Sequence, residues 1–156
     1  MRITIVAVGR LKSGPERTLI DDYLDRANKT GRSLGLGPCK VVEVDERKAR
    51  DRGAQSQKLL SQVPSSATAV ALDERGDNLS SRQLAKLIAR ERDGGCADMA
   101  FMIGGADGID ENVRAATGYR LSFGPMVWPH MLARVMLTEQ LYRAFSILDG
   151  SPYHRV

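Results

Sequence analysis

The chain has 156 residues, 42% hydrophobic and 27% charged, as expected for one soluble domain spanning residues 1–156. No apolar run approaches the roughly 20 residues of a membrane span. Two cysteines and two histidines, scattered without ligand spacing, argue against a zinc centre, so no metal is expected. A formal charge of +4 and a pI near 9.3 permit an anionic partner, RNA before an acidic protein, or equally an excess of Arg that keeps the surface hydrated, while 5% aromatic content argues against a base-stacking platform.

Arg2 to Val8 is an apolar, β-branched run that reads as a strand and is too short for a signal-peptide core, so the cytoplasm is expected. Gly9 to Gly14 turns the chain, and Pro15 suits the first turn of a helix. Glu16 to Lys29 spaces Leu19, Ile20, Tyr23, Leu24 and Ala27 as one buried stripe. Gly31 to Pro38 breaks it. Lys40 to Val44 is a second strand, Asp45 to Gly53 a charge-dense loop or helix start, and Gln55 to Val63 a short helix.

Ala67 to Leu72 is a third strand, apolar enough to be covered on both faces. Ser80 or Ser81 caps a helix holding Leu84, Leu87 and Ile88, which Gly94-Gly95 ends. Asp98 to Ile103 is a fourth strand, Gly104 to Gly108 a glycine-rich turn, Glu111 to Ala116 a short helix, and Tyr119 to Phe123 a fifth strand. The last helix, Pro129 to Leu148, is apolar on nearly every side, which predicts one face on the sheet and another on a second subunit. The alternation of strands and helices predicts an α/β fold with a mainly parallel, doubly wound sheet. Cys39 and Cys96 lie outside any CxxC pattern and read as free thiols.

Ligands of an open parallel sheet bind at the carboxyl ends of its strands. Three such ends are unusual: Leu72 to Gly76, Ile103 to Gly108, and Ser122 to His130. Gly104 and Gly105 let a ligand approach the backbone closely, although Gly-Gly-x-x-Gly also describes a plain tight turn. It is not the dinucleotide fingerprint, which follows the first strand. Gly9 to Gly14 has the spacing of a phosphate loop but carries Pro15 where the lysine belongs, which rejects ATP or GTP hydrolysis. Gly124 to Pro129 is stiff and rich in carbonyls without competing donors; it can hold an adenine face or simply connect strand to helix. The tail, Gly150 to Val156, offers Tyr153, His154 and Arg155 for proton handling or phosphate contact, or is a frayed polar end.

Leu72-Asp73, Ile103-Gly104-Gly105-x-x-Gly108, Leu121-Ser122, Met126, Pro129-His130, Glu139-Gln140-x-Tyr142-Arg143-Ala144 and Pro152-Tyr153-His154 together resemble the RlmH (YbeA-like) family of SPOUT-class 23S rRNA pseudouridine N3-methyltransferases. The resemblance spans the chain and is most specific in its C-terminal third. It implies a homodimer with a C-terminal trefoil knot and S-adenosylmethionine bound in that knot. By position it implies cofactor contacts at Leu72, Gly104, Gly105, Phe123, Gly124, Pro125, Met126, Val127 and Trp128. Gly124 and Val127 stand where many members carry Ser and Thr, so this loop has two fewer hydroxyls. The implied substrate is the helix 69 pseudouridine of 23S rRNA in the assembled 70S ribosome, methylated at N3, with no role for DNA or a membrane.

N3 of pseudouridine is an imide that carries a proton at neutral pH, so a base and an oriented acceptor are needed. His154 is the candidate base, with Tyr153 orienting it or the uracil carbonyls. Arg143 and Arg155 are candidates for RNA phosphate contact or for stabilising charge on those carbonyls. His130 is read as structural, and the tail is expected to close over the cofactor pocket. Two rivals stand beside this reading: a tRNA 2′-O-methyltransferase of the same fold, and a non-catalytic ribosome-binding factor.

Overall fold

The computed structural model describes residues 1–155. Strands β1 (Arg2–Val8), β2 (Cys39–Val44), β3 (Thr68–Asp77), β4 (Asp98–Ile103) and β5 (Tyr119–Leu121) form one sheet in the order β2-β1-β4-β3-β5, with every neighbouring pair parallel. Helices α1 (Pro15–Gly31), α3 (Ser81–Asp93) and α5 (His130–Asp149) cover one face; α2 (Arg52–Ser61) and α4 (Glu111–Ala115) cover the other. The strands alternate accordingly. Ile3, Ile5 and Ala7 join Phe101 and Ile103 under α1, α3 and α5, while Val6 and Val8 join Met102 under α2 and α4. Each large side chain buried this way contributes roughly 1.5–3 kcal/mol. No helix among the described residues is long and apolar enough to cross a membrane.

Several elements differ from their sequence boundaries for identifiable reasons. Helix α2 begins at Arg52 because the Asp51 carboxylate accepts from Ala54 N at 2.8 Å. Ser80, not Ser81, caps α3, in a reciprocal capping box with Gln83. Strand β3 runs on to Asp77. Leu121 of β5 pairs first with Leu72 and then with Asp77, so the intervening residues loop across β5. At Gly76 this crossing is so close that a Cβ would lie 2.7–2.8 Å from the backbone of Arg120 and Leu121.

Much of the all-round apolar character of α5 is used inside the chain. Leu137, Leu141, Ala144 and Phe145 are fully buried, and α5 lies between α1 and α3 on the sheet. What is left outside is a short stretch at its start, where Met131 and Leu132 are about 40% exposed. Arg134 in the same helix is buried at 1% exposure. Its guanidinium donates to the carbonyls of Val8 and Gly9 (3.1 and 3.0 Å) and to Glu43 (2.9 Å), tying α5 to the carboxyl edge of the sheet. Cys39 and Cys96 are free thiols, and burial raises Cys39 to about 12.

Candidate active site

A cleft of about 640 Å³ opens at the carboxyl ends of β3, β4 and β5. Eight of the nine residues expected to hold a cofactor line it: Leu72, Gly104, Gly105, Phe123, Gly124, Met126, Val127 and Trp128. Pro125 is exposed in the same loop and is not part of the lining. Two glycine features shape the cavity. At Gly104 a Cβ would lie 2.5 Å from the carbonyl carbon of Gly108, so the turn closes only without a side chain. At Gly124 the chain adopts φ 100°, and its N–H and carbonyl both meet the Ser122 hydroxyl, at 3.1 and 3.2 Å. The outer lip is apolar, with Met126 67%, Val127 85% and Trp128 40% exposed.

His130, the first residue of α5, also lines the cleft, with its ring against Gly9. It was expected to be structural, yet its place at the helix start faces the cavity. The floor carries an ion pair the sequence did not flag. Asp73, 4% exposed, accepts from Arg114 at 2.7 Å, and Arg114 also pairs with Glu111.

Arg143, Tyr153, His154 and Arg155 do not line this cleft, so the expected closure of the tail over the cofactor pocket is not what the chain does. The tail instead packs along α5. Tyr153 lies against Tyr142 (ring centroids 4.5 Å apart) and under the Arg143 guanidinium at 4.7 Å. The missed residue is Glu139. Its Oε1 accepts from Arg143 Nε at 2.9 Å, Arg143 Nη2 at 2.5 Å and the Tyr153 hydroxyl at 2.9 Å. The i,i+4 spacing of Glu139 and Arg143 was the available signal. Burial, then Glu139 and Tyr23, push the Tyr153 phenol well above its ordinary range, so it stays protonated. Hydrogen bonding to Glu139 likewise raises Arg143. Arg143 Nη1 meets His154 Nδ1 at 3.4 Å, and Arg155 is exposed.

His154 lines a second cleft of about 780 Å³ with Tyr23, Leu79 and Met136. This cleft and the first share Leu121, Phe123 and Gly124 as a common wall. One backbone segment therefore separates a cleft shaped by glycines and edged by charged residues from a largely apolar cleft that carries Glu139 and His154.

A parallel α/β sheet with its cavity at the carboxyl ends of the strands, closed by glycine turns, defines a ligand-binding α/β protein. Residues 1–154 match the family described as "Predicted SPOUT methyltransferase". Along its whole length the chain is 59% identical to the ribosomal RNA large subunit methyltransferase H of Dinoroseobacter shibae and 58% identical to that of Ruegeria pomeroyi, covering 100% of each. It is 54% identical to that of Maricaulis maris over 99% of both chains. The chain belongs to the SPOUT methyltransferase family, with that family's C-terminal trefoil knot.

Proposed function

We propose that this chain is a cytoplasmic, homodimeric enzyme, one SPOUT domain throughout, that methylates N3 of the helix 69 pseudouridine in 23S rRNA of the assembled ribosome with S-adenosylmethionine as donor. The observation that carries the reading is the gathering of Leu72, Gly104, Gly105 and the Phe123–Trp128 loop around one cavity. The activity named for its full-length relatives supports rRNA as the substrate class. The cavity fits the donor: its volume lies in the usual ligand range, and it combines apolar side chains with backbone freed by Gly104 and Gly124.

Bound S-adenosylmethionine supplies an electrophilic methyl group on a sulfonium. Leu72 and Phe123 would bury the donor's apolar face, with Met126, Val127 and Trp128 as the exposed lip above it. The backbone of Gly104, Gly105 and Gly124 to Trp128 offers hydrogen bonds to its edge, a role that needs no hydroxyl at Gly124 or Val127. The acceptor base enters where the two clefts meet over Phe123 and Gly124. His154 takes the N3 proton there, and fixing the base in line adds several kcal/mol. The 3.4 Å contact from Arg143 is long, so His154 Nδ1 exchanges it for the substrate proton at little cost. Glu139 clasps Arg143 and Tyr153, and so holds the tail in place. Arg143 faces negative charge developing on the uracil carbonyls, and Arg155 meets RNA phosphate.

The same contact favours a second reading of His154. While Nδ1 accepts from Arg143, Nε2 carries the hydrogen and donates to a uracil carbonyl. A kcat that falls on acidification supports the base; a flat profile supports the donor. The exposed apolar stretch of Met126, Val127, Met131 and Leu132 supports a subunit contact.

Heat stability tests the donor assignment. S-adenosylmethionine at 100 times its dissociation constant is expected to add about 2.7 kcal/mol. An unchanged Tm would favour a ribosome-binding factor without catalysis.

A further inference from the structure

Strands β2, β1 and β4 are neighbours, and their carboxyl ends are level: Val8 pairs with Val44, and Ala7 with Ile103. The loops that leave these ends therefore stand in a row. The one after β4 is the glycine turn of the donor cleft. The two beside it, residues 9–14 and 45–52, carry six cations, Arg10, Lys12, Arg47, Lys48, Arg50 and Arg52, against three carboxylates, Asp45, Glu46 and Asp51. They thus hold most of the net charge of the chain. All six cations are exposed. Among the described residues, Lys12, Lys48 and Arg50 have no carboxylate within ion-pair distance.

These loops are built rather than loose. Asp45 accepts from Arg47 at 2.9 Å and lies 3.8 Å from Arg10, so one carboxylate joins the two loops. Asp51 is committed to capping α2. Ala49 is buried, and its carbonyl accepts from Gln55 Nε2 at 3.1 Å. The Gln55 amide packs on Gly105, where a Cβ would meet its oxygen at 2.8 Å. The cationic loop is thereby fixed to the turn that forms the donor cleft, and Arg52 reaches the cleft itself. The opposite rim has no such excess: Asp73, Glu74, Asp107 and Glu111 face Arg75, Arg114 and Arg120.

We infer that the loops after β1 and β2 form a phosphate-binding rim that seats the RNA backbone beside the donor cleft, a role that rests on the rRNA reading above. Exposed Lys and Arg side chains contact backbone phosphates, and such contacts position a nucleic acid without reading its sequence. Such contacts release counterions, with a slope of about 0.7–0.9 in log K against log salt per phosphate.

The test compares Lys12→Ala/Lys48→Ala/Arg50→Ala with a control of equal charge loss at the other end of the sheet, Lys29→Ala/Arg32→Ala/Lys40→Ala. Both are assayed on ribosomes lacking the methyl mark, across a salt series. The rim variant is expected to raise KM for ribosomes about tenfold or more and to lower the salt slope by about 2–3. Its dissociation constant for S-adenosylmethionine and its Tm are expected to stay those of the wild type, and the control to keep wild-type KM. Equal behaviour of the two variants, with the wild type active, overturns the rim alone. A wild type that binds S-adenosylmethionine yet methylates no ribosomal RNA overturns the proposed function, and the rim with it.

Discussion

The two clefts that meet at Phe123 and Gly124 are made of different materials. On the donor side, shape comes from the backbone: Gly104 pressed on Gly108, Gly124 in a left-handed conformation, and an apolar lip. On the tail side, the wall is largely apolar and the tail beside it is held by charge: one Glu139 oxygen gathers Arg143 and Tyr153, and Arg143 reaches His154. The difference teaches where each is vulnerable. A cavity set by backbone contact fails when atoms are added. A cluster set by hydrogen bonds fails when a proton or a carboxylate is removed.

The largest effect is expected at the tail. If His154 is the base proposed above, His154→Ala should lower kcat about 10²- to 10⁴-fold while the dissociation constant for S-adenosylmethionine stays within about twofold. Lost donor binding in a calorimetric titration would break the division between the two sides. Gly104→Ala should do the reverse. Its new methyl meets fixed backbone, so donor affinity is expected to drop at least about tenfold, with about 1–3 kcal/mol lost from stability in a denaturant titration. Gly124→Ala sharpens the point: space around it is open, so the cost is about 1–2 kcal/mol of left-handed strain without a steric block.

Glu139→Gln keeps the shape and removes the charge. It is expected to cost about 1–2 kcal/mol of stability and to reduce kcat more than donor affinity, read from steady-state kinetics beside the titration.

The smallest effects are those of pH. Tyr153 is raised above its ordinary range by burial and Glu139, so its contribution is complete below about pH 10 and is lost as pH rises further. Asp45 is lowered to about 2, chiefly by hydrogen bonds from Arg47, with Arg10 adding to it. Its contribution is complete above about pH 4 and fades as pH falls towards 2. A stability profile in which Tyr153→Phe removes the alkaline loss, and Asp45→Asn the acid one, would bear this out.

Local structure was legible wherever neighbours in sequence decide it. Strand β4 starts and stops where its apolar run does, and the capping box places α3. Strand β3 beyond Leu72 was not legible, because Asp73 to Asp77 is polar and becomes a strand only by crossing β5 at Gly76. That eight of the nine residues named through the family resemblance line one cleft was legible because they lie in three short segments. The tail was not. Its position depends on Glu139, fourteen residues before Tyr153, and a pattern of apolar spacing says nothing about which carboxylate a half-buried arginine and a tyrosine near the chain end will share.

The central assignment is tested most directly by mapping nucleosides of 23S rRNA, by mass, after ribosomes lacking the mark are incubated with the protein and S-adenosylmethionine. One added methyl on the base of the helix 69 pseudouridine is expected, absent with His154→Ala. A methyl on a ribose oxygen, or no methyl on 23S rRNA at all, would contradict it.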